Sequence, residues 1–299
     1  MLKMRQVKDK TGKAVMLAVT SAAFLFFIAV FVMLVQRSRL ILSKHSIIEL
    51  MLSSDWDPEK GLYGFLPAIT GTFIVTLLSL AISVPISILS SVYISEYASR
   101  RIKLYLQSFI DVLAGTPSVV YGLCALLVIV PFVRNIAGPL FGVKTTGMCI
   151  FTASMVLAIM VFPVIISISA ESLHALPVGL REQFLSLGAT KWQLIEIVLL
   201  RAAGPGILSG IVLGFGRAFG ETMAVAMVIG SKNILAPSLF SPGQTLPSLI
   251  VGSFSEMMSV PEQQSALIFV SLILFFIVIL FNIMANYIKN KLQKRWRYE

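Results

Sequence analysis

Charged side chains are scarce in this sequence. Asp, Glu, Lys and Arg make up 13% of the 299 residues, whereas they are about one quarter of an average soluble protein. Hydrophobic residues account for 57%, and the mean hydropathy is +0.90. This shortage of charge excludes an ordinary soluble domain.

Histidine and cysteine are also rare, with two residues of each. Cys124 and Cys149 both lie in apolar runs, where a cysteine is usually a small buried hydrophobic residue. His45 and His174 are far apart in the sequence and have no cluster of metal-ligating residues around them. We therefore predict no metal site and no catalytic residue, which leaves a membrane-embedded enzyme as a disfavoured alternative.

The sequence also lacks a nucleotide-binding loop. The nearest approach to one, residues 142–147, is followed by Met148 and Cys149, where Lys and Ser or Thr would be needed to hold phosphates and Mg²⁺. We expect no cofactor on this chain. Energy must come from a separate subunit, or the protein is not driven by ATP.

Long apolar runs are abundant. They have the length of about 20 residues that a helix needs to cross a bilayer, which predicts an all-α integral membrane protein with six transmembrane helices. The first run follows a basic stretch, but its 22 uninterrupted residues exceed the apolar region of a signal peptide, so we interpret it as a retained anchor. The predicted spans are 14–35, 65–93, 104–133, 147–170, 206–230 and 265–288.

Basic residues lie beside the spans rather than in them. With both termini placed in the cytoplasm, sixteen of the 24 Lys and Arg residues fall on the inner side, in agreement with the positive-inside rule. The net charge of +10 is therefore expected to meet anionic lipid of the bilayer rather than nucleic acid.

The spans suggest a division of the chain. Residues 1–64 form a cytoplasmic N-terminus, the first span and an external linker; residues 65–288 form a core of five spans; residues 289–299 form a basic cytoplasmic tail. The external segment 231–262 has four prolines and is too broken to span, so it forms an outer gate or receives a binding protein.

Residues 171–204 form a long internal loop with two short helices. The first follows Pro177 and is stopped by Gly188. The second is capped by Thr190, with Gln193 three residues later completing a capping-box pattern. Such a hairpin either docks a partner or rests among the lipid headgroups.

The fifth predicted span contains two charges, Arg217 and Glu221. At about 100° per residue they share an arc of roughly 80° with Gly206, Gly210 and Gly214, and Gly220 flanks it. Glycines at this spacing let another helix approach closely. We therefore predict one face that combines close packing with charge, with Arg217 near the membrane midplane.

Two interpretations of the charges remain open. Residues four apart can neutralise each other as a structural ion pair. Alternatively, the guanidinium binds an oxyanion, and the carboxylate accepts a hydrogen bond from a protonated oxygen of the substrate. We favour the second, because charges inside a membrane are costly and usually mark a pathway.

Thr116, Pro117 and Ser118 predict a kink in the third span, with hydroxyl groups that can bond the freed backbone carbonyls. The kink is a possible hinge, although packing alone would explain it. Asp111, one turn earlier, either faces Arg217 or is a hydrated carboxylate at the interface.

Four segments carry a family resemblance. Residues 182–192 resemble the EAA loop of ABC importer permeases, with Gln183 and Phe184 where that family commonly has alanines. Residues 216–230 are similar to the C-type permease subunit of phosphate-specific importers. Residues 95–98 and 114–122 add further matches, so the similarity runs from about residue 65 to residue 286.

The resemblance implies a type I ABC importer permease fold with cytoplasmic coupling helices. Arg217, Glu221 and Thr222 would line the substrate pathway. The contacts with an ATPase would come from Glu182, Leu187, Gly188, Ala189, Thr190 and Trp192.

It also implies partners: a second homologous permease, a dimer of ATP-binding subunits that uses ATP and Mg²⁺, and an extracytoplasmic phosphate-binding protein. The expected location is a bacterial or archaeal cytoplasmic membrane. The alternatives are a permease for sulfate, molybdate or another oxyanion, the partner phosphate permease, and a sensor or scaffold without transport.

Overall fold

A computed structural model describes residues 2–295 of the chain, with side chains described for residues 11–291. Met1 and residues 296–299 of the predicted tail lie outside the described residues. The helices are α1 Leu2–Arg37, α2 Arg39–Lys44, α3 Ile47–Leu52, α4 Leu66–Tyr97, α5 Arg100–Gly115, α6 Ser118–Leu140, α7 Ile150–His174, α8 Val178–Ser186, α9 Lys191–Ala202, α10 Gly204–Gly220, α11 Met223–Val228, α12 Leu246–Met257 and α13 Pro261–Arg295. A small antiparallel hairpin joins β1 Trp56–Asp57 to β2 Leu62–Tyr63.

Within the described residues, five helices are long and apolar enough to cross a membrane: Thr11–Lys44, Leu66–Tyr97, Ser118–Leu140, Ile150–His174 and Pro261–Lys291. Helices α9 and α10 pass the same test only as a pair bent by 67° at Ala203, and the count is six when that pair is taken as one broken span. The bend confirms the predicted break near residues 204–206, because Pro205 has no N–H and fits only the first turn of a helix. We call the end of the bundle that carries residues 175–203 the loop end, and the opposite end the far end.

The predicted third span is wrong at its start. Helix α6 begins at Ser118, and the chain before it forms a separate amphipathic helix, α5. Pro117 pushes Thr116 into an extended conformation (φ −70°, ψ 130°). As predicted, a hydroxyl group satisfies a free backbone carbonyl at this boundary, since Thr116 Oγ1 donates to the Val112 carbonyl at 2.8 Å.

Asp111 consequently lies in α5 rather than inside a span. It lines a cavity at the loop end together with Glu171 and His174 of α7. This position separates it from the cavity that Arg217 lines, and it agrees with the interpretation of Asp111 as an interfacial carboxylate.

Helix α7 is the most buried of these candidate spans. In its most apolar stretch 61% of the residues are buried, against none in the corresponding stretch of α1. It packs along α4, α5, α10 and α11. A core around it includes Val156, Leu157, Met160 and Val161.

The contact between α7 and α10 depends on glycine. A Cβ at Gly206 would overlap Ser172, one at Gly210 would lie 3.2 Å from Ile168 Cβ, and one at Gly214 would lie 2.8 Å from Val161 Cγ1. The partners on α7 recede by about one turn as α10 advances by one turn, so the two helices run antiparallel.

Gly220 does not belong to this face, contrary to the prediction. A Cβ built at Gly220 would meet nothing within 4 Å. Gly220 is the last residue of α10 and lies six residues after Gly214, outside the four-residue series of Gly206, Gly210 and Gly214.

The far end is closed by residues from both halves of the chain. Ile41, Leu50, Phe65, Leu246 and Val270 are buried in one cluster there. The predicted linker and the proline-containing segment therefore fold against the bundle, and α12 begins with a capping box between Thr245 and Ser248.

We predict that Gly214→Ala lowers the midpoint of thermal unfolding in detergent. Its new methyl group meets β-branched side chains, which have little rotamer freedom, and overpacking of this kind costs about 1–3 kcal/mol. Gly220→Ala is the matched control, because it makes the same change where nothing is in contact. Equal midpoints for the two variants would contradict the glycine contact.

Candidate functional site

Arg217 lies in the last turn of α10, and its side chain is half-buried. Within the described part of the chain it has no hydrogen-bond or ion-pair partner. A guanidinium carries five N–H donors and stays charged at any accessible pH. Its hydrogen-bonding capacity is thus unused by this chain.

The Arg217 side chain faces a cavity of about 680 Å³. Three helices line it: α7 with Val164 and Ile168, α10 with residues from Ser209 to Arg217, and α13 with residues from Asn282 to Lys289. None of its described lining residues is a carboxylate. The cavity therefore offers donors and positive charge without a built-in anion.

Glu221 occupies a different position from the one its spacing predicts. Helix α10 ends at Gly220, and Glu221 is extended (φ −70°, ψ 127°). Its Oε1 accepts a hydrogen bond from the Ala224 N–H at 3.2 Å, which places a carboxylate at the positive N-terminal end of α11. The alternative interpretation, a helical ion pair of Arg217 and Glu221, is therefore not supported, because no ion pair between them occurs in the described structure and the helix ends before Glu221.

Thr222 lies in the same break between α10 and α11. Its Oγ1 donates to the carbonyl of Gly220 at 3.2 Å. The break thus separates the arginine on one helix from the carboxylate that precedes the next.

The loop at residues 175–203 has the predicted two-helix form. Gly188 adopts a left-handed conformation (φ +82°) after α8, as a glycine stop requires. Thr190 and Gln193 form the complete capping box at the start of α9. Both features confirm the local structure that the sequence predicts.

Two large apolar side chains of this loop are uncovered. Leu187 is 82% exposed and Trp192 is 53% exposed. Glu182 and Thr190 are also exposed, whereas Ala189 is half-buried. Exposed apolar side chains grouped at one place usually mark an interaction surface.

Sequence reasoning missed the ion pair beneath the loop. Arg181 Nη2 lies 2.9 Å from Glu96 Oε1, and the two side chains are only 19% and 7% exposed. The same guanidinium donates to the carbonyls of Leu176 and Leu173 at 2.9 and 2.8 Å. Arg181 thus joins α8 to the ends of α4 and α7.

Glu96 lies in a widened last turn of α4, where the Ala98 N–H bonds the Tyr93 carbonyl five residues back, at 2.8 Å. Such turns are frequent at functional sites. Lys191 of α9 donates to the Glu96 carbonyl and lies 4.5 Å from the centre of the Tyr97 ring. Both helices of the loop are therefore anchored to one turn of α4.

A second layer surrounds this anchor. The Ser95 hydroxyl donates to Glu96 Oε1 at 2.9 Å and lies 3.0 Å from His174 Nδ1, and Lys103 contacts the other ring nitrogen. A signal for this network was present in the sequence, because residues 95–98 match the family motif and Arg181 is the basic residue beside Glu182. The pairing itself spans 85 positions and has no local signature.

Comparison with known proteins gives consistent results. Residues 83–298 match the family described as binding-protein-dependent transport system inner membrane component. The probable ABC transporter permease protein YqgH of Bacillus subtilis is 38% identical over 248 residues, which cover 82% of this chain and 79% of that protein. The phosphate transport system permease protein PstC of Pasteurella multocida is 37% identical over 238 residues, with 75% and 74% covered.

Solved structures agree in fold. A chain of the MetNI methionine ABC transporter in inward-facing conformations superposes with a TM-score of 0.57 at 19% identity, covering 80% of this chain and 99% of that one. A chain of a bacterial alginate ABC transporter gives 0.55 at 18% identity, with 75% and 79% covered. These similarities confirm the predicted type I ABC importer permease fold.

The resemblance that the motifs indicate is therefore confirmed over most of the chain. Its helices, its loop and its relatives agree, and the chain belongs to the family of binding-protein-dependent transport system inner membrane components, as a multi-pass permease subunit of an ABC transporter.

Proposed function

We propose that this chain is a permease subunit that imports inorganic phosphate, driven by ATP hydrolysis on a partner. The observation that carries the proposal is the half-buried, unpaired Arg217, which faces a cavity lined by donors and free of described carboxylates. An anion that enters a membrane must replace its hydration, and a guanidinium can do so with two parallel hydrogen bonds.

The choice of phosphate rests on two arguments. Relatives from Pasteurella multocida and Xylella fastidiosa that cover most of the chain are phosphate transport system permease proteins. Phosphate also keeps an O–H group near neutral pH, and Glu221 can accept a hydrogen bond from it. Sulfate and molybdate have no such proton. Glu221 and Thr222 would then contribute to selectivity, and Arg217 to binding.

The partners follow from the family. A second homologous permease completes the pathway, two ATP-binding subunits supply ATP and Mg²⁺ chemistry, and an extracytoplasmic phosphate-binding protein delivers the anion. Both termini and the loop end would face the cytoplasm, where the ATPase is. The binding of phosphate at Arg217 must stay moderate, because tight binding would trap the anion in the pathway.

The loop at residues 175–203 is proposed to dock on the ATPase through Leu187 and Trp192, with Glu182, Gly188, Ala189 and Thr190 shaping the contact. Arg181 would pass a displacement of α8 to α4 and α7, since it bonds both. Helix α7 would pass it to α10, where the glycine contact permits little relative movement without repacking.

We expect Arg217→Ala to reduce phosphate uptake by roughly 100-fold, because hydrogen bonds to charged groups contribute about 1.5–3 kcal/mol each. Uptake of labelled phosphate is measured with the reconstituted complex and enclosed ATP. The uptake rate of Arg217→Lys should lie between those of the parent and Arg217→Ala, since lysine keeps the charge and loses the planar fork of donors. Arg39→Ala, which removes an exposed arginine at the far end, is the control. Normal uptake by Arg217→Ala would refute the role of Arg217 in binding the anion. Transport of sulfate in place of phosphate by the parent would show that the substrate is sulfate.

Gly188→Val should reduce the stimulation of ATP hydrolysis by loaded binding protein, because valine is strained at φ +82°. Asparagine tolerates this conformation, so Gly188→Asn should keep most of the coupling. A Cβ at this position would meet nothing within 4 Å in the chain itself. The measurement is ATPase stimulation by loaded binding protein. Full stimulation of Gly188→Val would remove Gly188 from the coupling contact.

Removing one partner of the Arg181–Glu96 pair should destabilise the chain by about 3 kcal/mol, because the other charge is left buried. We expect Arg181→Met and Glu96→Gln each to lower the thermal midpoint. The double variant should cost less than the two single losses together, which measures their coupling. Additive losses would show that the two side chains do not interact.

A further inference from the structure

The cavity beside Arg217 continues along α13. Asn282, Asn286 and Lys289 line it from that helix. Their spacing of four and then three residues places them on one helical face, and Lys289 lies about 10 Å from Asn282 along the axis. Because α13 ends at the loop end, this row leads from the level of Arg217 toward the loop end.

These side chains are rich in donors. Asn282 Nδ2 donates one bond to the Val278 carbonyl at 2.8 Å, which leaves its second N–H available. Asn286 and Lys289 have no hydrogen-bond or ion-pair partner within the described part of the chain. Carboxamides and an ammonium are costly against hydrocarbon unless they find partners.

We propose that Asn286 and Lys289, with Asn282, form a second anion subsite that receives phosphate from Arg217 on its way to the loop end. The inference rests on the proposed function and deepens it. An anion held by one cation alone leaves slowly, whereas a neighbouring site with its own positive charge lowers the barrier to release. Lys289 supplies that charge and the carboxamides supply neutral donors between the two cations.

The chemistry recognised is a phosphate-class oxyanion, which is either the transported ion or the headgroup of an anionic lipid. Lys289 lies near the end of a span, where lipid headgroups also bind basic residues. The two sources differ in their dependence on lipid composition, and the experiment separates them on that basis.

The test uses the reconstituted complex with enclosed ATP and labelled phosphate. Lys289→Gln and Asn286→Leu are each expected to lower the maximal uptake rate roughly ten-fold, about the contribution of one charge-assisted hydrogen bond. Lys289→Arg, which keeps the positive charge, should have the uptake rate of the parent. Lys291→Gln is the matched control, since Lys291 is exposed on the same helix and does not line the cavity. ATPase assembly and the thermal midpoint of each variant are measured in parallel, so that a misfolded variant is recognised.

The outcomes are distinct. Slow uptake by both variants, with normal uptake by Lys291→Gln and equal effects in zwitterionic and anionic vesicles, supports the subsite. Uptake of Lys289→Gln at the parent rate overturns it, as does a defect that vanishes in zwitterionic vesicles, which would assign the row to lipid. A parent complex that takes up no phosphate would instead refute the proposed function.

Discussion

A backbone group at membrane depth has no water to bind, so each break in a helix must be closed by a specific partner. The fold depends on this constraint at three places. Thr116 and Tyr121 close the break before α6 by bonding the carbonyls of Val112 and Leu113. Glu221 closes the break after α10 by accepting from Ala224. Arg181 closes the end of α7 by bonding the carbonyl of Leu173 in its last turn and that of Leu176 just after it.

Two of these side chains, Glu221 and Arg181, are also proposed to act in function. Glu221 both caps α11 and is available to a substrate oxygen, and Arg181 both caps α7 and joins it to the loop. Helix α7 connects the two regions, because its loop end is bound by Arg181 and its length packs on the glycines of α10. A movement of the loop and a change at the cavity beside Arg217 are thus mechanically linked through one buried helix.

Much of this arrangement was predictable from the sequence. The number of spans, the break before Pro205, the capping box of Thr190 and the contact face of Gly206, Gly210 and Gly214 all follow from local patterns. The start of the third span was wrong because apolar content continues through residues 104–115, and only the conformation forced by Pro117 separates α5 from α6.

Other features could not be predicted from local sequence patterns. The shared helical face of Arg217 and Glu221 assumed that α10 continues past Gly220. Residue spacing alone does not show that the helix ends there and that Glu221 instead accepts a hydrogen bond from the Ala224 N–H at the start of α11. The Arg181–Glu96 pair and the cavity shared by α10 and α13 join residues far apart in the chain, so they become visible only in three dimensions.

The uncovered Leu187 has a consequence for how the cell handles this protein. Exposed apolar side chains such as Leu187 and Trp192 are the kind of surface that chaperones and proteases recognise. Newly made copies that find no partner are consequently open to degradation. The amount of this subunit in the membrane would then depend on the amount of the protein that covers Leu187.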